Sequence, residues 1–109
     1  MDVLSRAAKI DPNNPEIQNY LGVTLSHKGL RVQAESALRR AILIDGNYAP
    51  AHNNLAVIYL SQNPPLPQLA RWHYQKALDA GQPRNPDLEK MLADKGAPVA
   101  PMSADAPAP

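Results

Sequence analysis

Three histidines have the widest chemical range in this sequence, because imidazole can bind a metal or move a proton near neutral pH. They are His27, His52 and His73. No carboxylate or cysteine stands three or four residues from any of them, so their spacing does not match that of zinc ligands. The chain has no cysteine, which excludes disulfides and thiolate sites. The sequence therefore predicts no metal site and no cofactor.

The sequence also offers no catalytic constellation. It contains no nucleophile paired with a base, no glycine-rich phosphate loop and no paired catalytic carboxylates. Asp87, Glu89 and Asp94 are interpreted as acids that cap a helix or lie on its solvent face. We therefore predict that the protein is not an enzyme and has no catalytic residues.

Charge and hydropathy exclude two further classes of function. The formal net charge is +1 with acids and bases interspersed, and Arg39-Arg40 is the single adjacent basic pair. A nucleic-acid-binding surface needs a clustered basic stripe instead. No apolar run approaches the ~18 residues of a membrane span, and residues 1–6 do not resemble a signal peptide. We expect no nucleic-acid partner and no membrane insertion. The sequence does not indicate the cellular compartment of the protein.

A repeat of 34 residues organises the chain. Leu21-Gly22 and Leu55-Ala56 are 34 positions apart, and small residues follow each pair at similar offsets. A period of this length indicates two helices per repeat, stacked side by side. The small residues are Gly22, Ala34 and Ala41 in the first copy, and Ala56, Ala70 and Ala77 in the second.

Prolines, glycines and apolar spacing place the elements. The predicted helices run over about 3–10, 16–28, 32–44, 51–61, 67–80 and 87–95. They form a helical array over residues 1–96, divided into a half-repeat helix (3–11), two repeats (15–48 and 49–82) and a capping helix (86–95). Residues 97–109, rich in alanine and proline, are predicted to be a disordered tail. That composition also suggests a bacterial source.

These residues resemble the tetratricopeptide repeat. The first copy reads Leu21-Gly22, Leu25, Ala34, Leu38, Ala41-Ile42, Asp45-Gly46, and the second reads Leu55-Ala56, Tyr59, Ala70, Tyr74, Ala77-Leu78. The resemblance implies an all-α, right-handed helix-turn-helix solenoid of about two full repeats flanked by single helices. Two features depart from the family pattern. Gln18 and His52 replace a large residue, and the loop of the second copy, which contains residues 63–67, is two residues longer.

In this family the first helix of each repeat lines a concave groove that holds a partner peptide. Carried over by position, the groove residues are Glu16, Asn19, Val23, Ser26, His27, Pro50, Asn53, Val57, Leu60 and Ser61. Asn19 and Asn53 are the central candidates, because an amide can both donate to and accept from a peptide backbone. The alternative is that these are ordinary exposed helix residues.

Trp72 lies two residues before Tyr74, which occupies a core position of the same helix. This spacing indicates that the Trp72 side chain lies on the outer face. An exposed tryptophan can anchor an interface. The alternative is that Trp72 packs on the proline-rich loop or on the capping helix.

The resemblance implies a protein–protein interaction module with a scaffold or adaptor role and a protein or peptide partner. One alternative is an accessory segment of a larger multidomain protein, such as a glycosyltransferase. Another is self-association, because the first helix lacks a partner helix and exposes Val3, Leu4 and Ala7. We therefore also expect a homodimer through the unpaired terminal helices.

Overall fold

A computed structural model describes residues 2–99 of the chain. Within that range the protein is all-α, as expected, and has no β-strand. Each predicted helix is found, with its ends within two residues of the expected positions. The helices are α1 Asp2–Ile10, α2 Pro15–His27, α3 Arg31–Ile44, α4 Ala49–Ser61, α5 Pro67–Asp79 and α6 Pro86–Asp94.

Local side-chain chemistry explains where several helices begin and end. The Asn14 side chain accepts from the backbone N–H groups two and three residues later, at 2.9 and 3.2 Å. Asn85 caps α6 in the same way at 3.1 Å. Such caps satisfy N–H groups that have no partner inside the helix. Gly29, Gly81 and Gly96 follow the ends of α2, α5 and α6 with φ of 79°, 103° and 85°, which other residues rarely adopt.

The helices pack as two consecutive hairpins. We name α2–α3 the first hairpin and α4–α5 the second hairpin. Short connections make the partners in each pair antiparallel neighbours. The hairpins meet through α3 and α4 and through α2 and α4. Helix α1 packs on α2, and α6 packs on α4 and α5, within overall dimensions of 49 × 29 × 17 Å.

Small residues let the helices of each hairpin approach closely. Gly22 is buried, and a Cβ atom added to it would lie 2.6 Å from Leu38 Cγ. Leu38 and Tyr74 occupy similar positions in the two hairpins, and both are fully buried. The predicted small-residue packing is confirmed, since the alanines of the pattern are also fully buried: Ala34, Ala41, Ala56, Ala70 and Ala77.

The packed part of the chain continues beyond α6. The Ala97 N–H donates to the Leu92 carbonyl oxygen at 2.8 Å, and the Ala97 side chain is fully buried. Val99 packs against the core. The first three residues of the predicted tail are therefore part of the fold, while residues 100–109 lie outside the described range.

In the described range, the helices do not combine the length and apolar character that crossing a membrane requires.

Candidate functional site

Helices α2 and α4 face each other across an open cavity of about 110 Å³, which we name the inner cavity. Val23 and Val57, 34 residues apart in the repeat, both line it, and Val57 is 43% exposed. The lining carries no Asp, Glu, Lys or Arg side chain. The lining residues are Val23, Ser26, His27, Leu38, Asn54, Val57 and Ile58.

Four of the predicted groove residues meet at this cavity: Val23, Ser26, His27 and Val57. Others lie elsewhere on the two helices. Glu16, Pro50 and Ser61 are exposed and Asn53 is partly buried, and none of these four lines the cavity.

Two predicted groove residues are not accessible. Asn19 is only 5% exposed, and its Oδ1 accepts a hydrogen bond from Asn54 Nδ2 at 2.9 Å. Leu60 is 3% exposed and belongs to the core. The Asn19 bond joins α2 to α4, and Leu60 is part of the buried core cluster. The expectation that Asn19 and Leu60 present their side chains to a partner is therefore wrong.

Beside Asn19, the accessible side chain is that of Tyr20, which is not among the predicted groove residues and does not line the inner cavity. Tyr20 is 54% exposed and lies three residues before Val23, so the two share one helix face. Asn54, 34 residues after Tyr20, lines the inner cavity. The helical spacing from Val23 and Val57 was the signal that could have identified both residues.

Trp72 is 52% exposed, as an outer-face position predicts. Its ring contacts the His73 ring edge-on, at 4.9 Å between centroids, and lies 6.1 Å from the His52 ring. Lys76 Nζ lies 5.2 Å from the indole centroid. These ring contacts all lie within the second hairpin.

Two of the three histidines, distant in sequence, meet inside the second hairpin. His52 Nδ1 lies 2.9 Å from His73 Nδ1, and His52 Nε2 lies 2.8 Å from the Gly46 carbonyl oxygen. Since a carbonyl oxygen can only accept, His52 Nε2 carries the proton and His52 Nδ1 accepts from His73 Nδ1–H. The pair is thus satisfied when both rings are neutral.

The environment of His73 favours that neutral form. Burial, together with the electrostatic effects of His52 and Arg39, lowers the pKa of His73 to about 4. The His73 ring also stacks on the Tyr59 ring, at 5.5 Å between centroids. An imidazole that stays neutral at physiological pH serves here as a buried hydrogen-bonding group.

A larger cavity of about 380 Å³, which we name the outer cavity, lies between α3, the end of α4 and α5. Glu35 Oε2 accepts from the Tyr59 hydroxyl at 2.7 Å and lies 3.8 Å from Arg39 Nη1. Burial, reinforced by this bond to Glu35, raises the pKa of Tyr59 to about 12. The full lining is Arg31, Glu35, Arg39, Ile42, Tyr59, Gln62, Leu66, Leu69 and His73.

Glu89 holds the capping helix in place. Its carboxylate accepts from the Tyr74 hydroxyl at 2.6 Å and from two Arg84 nitrogens at 2.9 and 3.0 Å. The Arg84 bond lowers the pKa of Glu89. Glu89 lies in the first turn of α6, as expected of an acid that caps this helix, but it is not a solvent-face residue, because its side chain is only 22% exposed. Asp87 and Asp94 are exposed.

In residues 2–99, no group of three or more His, Asp or Glu side chains is arranged to hold a metal ion. Comparison with the models of known protein families gives no match, and comparison with curated proteins gives none either.

Proposed function

We propose that the protein is a tetratricopeptide-type interaction module, a short right-handed solenoid that binds a peptide or protein in a groove centred on the inner cavity. The observation that carries this proposal is the pairing of Val23 and Val57, one from each repeat, beside polar groups of Ser26, His27 and Asn54. An apolar centre with a polar rim is the usual anatomy of a protein interface. Affinity would come from many small contacts on a preformed surface.

A peptide-display selection against the full chain tests this proposal. Val57→Glu places a charge in the inner cavity without disturbing the core, because Val57 is 43% exposed. We expect it to abolish binding of the selected peptides. Met91→Glu on α6, at a position exposed to a similar extent (41%), is the matched control and should bind normally. Peptides that bind the wild type and Val57→Glu equally well would refute the inner site.

Self-association is a second candidate, favoured by the exposed face of α1. Val3 and Ile10 are 77% and 83% exposed and lie seven residues apart, on one side of the helix. We propose that this stripe pairs two copies. Sedimentation should then give a dimer for the wild type and a monomer for Val3→Glu. A wild-type protein that remains monomeric at high concentration contradicts this candidate.

The accessory role in a larger protein, such as a glycosyltransferase, stays a proposal that both tests leave open. In that setting the inner cavity would bind a substrate protein for a separate catalytic domain. Partner binding by the isolated chain is expected in either case, and no catalytic group is assigned to it.

A further inference from the structure

The outer cavity continues into a second recess. This recess measures about 330 Å³ and shares Glu35 and Arg39 with the outer cavity. Together they follow α3 from Arg31 to Leu43, a rise of about 18 Å. We name the combined depression the outer groove. Its length fits about five or six residues of an extended peptide.

The outer groove has an excess of positive charge. Arg31, Arg39 and Arg40 line it against a single acid, Glu35. The Glu35 carboxylate already accepts from the Tyr59 hydroxyl, and only 22% of its side chain is exposed. The Arg39 side chain is 66% exposed, so its guanidinium is accessible to a partner.

Large apolar side chains flank these arginines. Leu66 and Leu69 on the α5 side are 41% and 40% exposed, and Val32 and Leu43 on α3 are 68% and 83% exposed. A phosphate backbone would gain nothing from these leucines. The aromatic ring in the outer groove, Tyr59, is 4% exposed and offers no stacking platform for bases.

We propose that the outer groove binds an acidic, leucine-containing peptide segment of another protein. Carboxylates of the peptide would pair with Arg31 and Arg39, since guanidinium groups form two parallel hydrogen bonds with a carboxylate. Its leucines would lie against Leu66 and Leu69. This surface is separate from the inner cavity and does not depend on the function proposed there.

Fluorescence anisotropy with a short labelled peptide of alternating leucine and glutamate tests the proposal. We expect saturable binding that weakens with salt, and a loss of about tenfold or more for Arg31→Gln/Arg39→Gln. The control Arg6→Gln/Lys90→Gln removes the same charge from exposed positions elsewhere and should change affinity by about twofold or less. Equal losses for both variants would overturn the proposal, as would equal binding of a leucine–lysine peptide.

Glu35→Gln gives a test of opposite sign. The amide can still accept from Tyr59, while the competing negative charge disappears, so binding of the acidic peptide should tighten several-fold. Unchanged or weaker affinity, with the fold verified by circular dichroism, counts against the site. Val57→Glu should leave this binding intact, which separates the outer groove from the inner cavity. A single-stranded oligonucleotide that outcompetes the peptide would show a phosphate site instead.

Discussion

The two hairpins place small residues at corresponding positions, but different side chains fill the space between their helices. In the first hairpin, Gly22 lies directly against the apolar Leu38. In the second hairpin, the corresponding residues are Ala56 and Tyr74, and the Tyr74 hydroxyl is hydrogen-bonded. The repeat therefore determines where the helices approach each other. The large residue between them, Leu38 or Tyr74, determines whether the interior of the hairpin is apolar or polar.

The polar interior of the second hairpin has a consequence for its neighbours. The Tyr74 hydroxyl donates to Glu89 and accepts from the Asn85 N–H at 2.8 Å, which attaches α6 to the second hairpin. His52 and His73 add a fully buried hydrogen bond in the same hairpin. In the first hairpin, the side-chain hydrogen bond from Arg40 Nε to Gln18 Oε1, at 3.1 Å, is only partly buried. The second hairpin should consequently depend more on pH and on single polar atoms.

The largest effect should come from making the second hairpin resemble the first. Tyr74→Leu removes the ring and both hydrogen bonds of its hydroxyl, and we expect a loss of about 2–4 kcal/mol in the free energy of unfolding. Urea denaturation followed by circular dichroism measures it. Tyr74→Phe, which keeps the ring, should cost about 1–2 kcal/mol. A Phe variant as stable as the wild type would show that the hydroxyl network contributes nothing.

The close approach in the first hairpin can be tested at its glycine. Gly22→Ala puts a Cβ 2.6 Å from Leu38 Cγ and 3.2 Å from the Ala34 carbonyl oxygen. We expect a net loss of about 1–2 kcal/mol, because overpacking outweighs the better helix propensity of alanine.

A matched glycine lies between the hairpins. At Gly46 the nearest neighbour of an added Cβ would be the Ile42 carbonyl oxygen at 3.9 Å. Gly46→Ala should therefore change stability by about 0.5 kcal/mol or less. Thermal unfolding compares Gly22→Ala with Gly46→Ala. If the two variants are equally stable, the close approach of the helices at Gly22 does not make the first hairpin sensitive to an added methyl group.

The sequence predicted the helices and the small-residue core because both follow from local periodicity. Ala34, Ala70 and their counterparts recur in one phase, and prolines and glycines mark the ends. The contacts of Glu89 and of the His52–His73 pair could not be predicted in the same way. They join residues 5 to 21 positions apart across turns, where no periodic signal specifies which atoms meet.

The candidate site was predicted only in part for a similar reason. Val23 and Val57, two of the predicted groove residues, both line the inner cavity, whereas Asn19 was assigned to a partner although it bonds within the protein. Neighbouring positions on a helix differ by about 100° in direction, so a shift of one residue exchanges a buried side chain for an exposed one. Sequence position alone did not determine how α2 is rotated against α4.

The pH dependence of stability should distinguish the hairpins. The pKa of His73 is about 4 in the folded protein and near 6.5 in the unfolded chain. As the pH falls, the unfolded state therefore binds a proton before the folded state does. The stabilisation is complete above pH ~6.5 and is lost towards pH ~4, by about 3 kcal/mol at most. The pKa of Glu89 is lowered from its ordinary value of 4.5. Glu89 therefore contributes a further loss of stability only when the pH falls below about that value.

Urea denaturation at several pH values measures this slope. His73→Gln should flatten it between pH ~6.5 and ~4, whatever the variant's stability at neutral pH. His27→Gln, at an exposed histidine of the first hairpin, should leave it unchanged. A wild-type profile that is flat across this window contradicts the buried neutral pair.

The smallest predicted effect concerns the link between the hairpins. Asn19 Oδ1 accepts from Asn54 Nδ2, whereas Asn53, the repeat counterpart of Asn19, makes no side-chain hydrogen bond to any described residue. Asn19→Ala should cost about 1 kcal/mol and Asn53→Ala about 0.5 kcal/mol or less. A double-mutant cycle of Asn19→Ala and Asn54→Ala should give a coupling of about 0.5–1 kcal/mol. Zero coupling would mean that this bond does not help to join α2 to α4, and that Asn19 is held in place by burial and not by its bond.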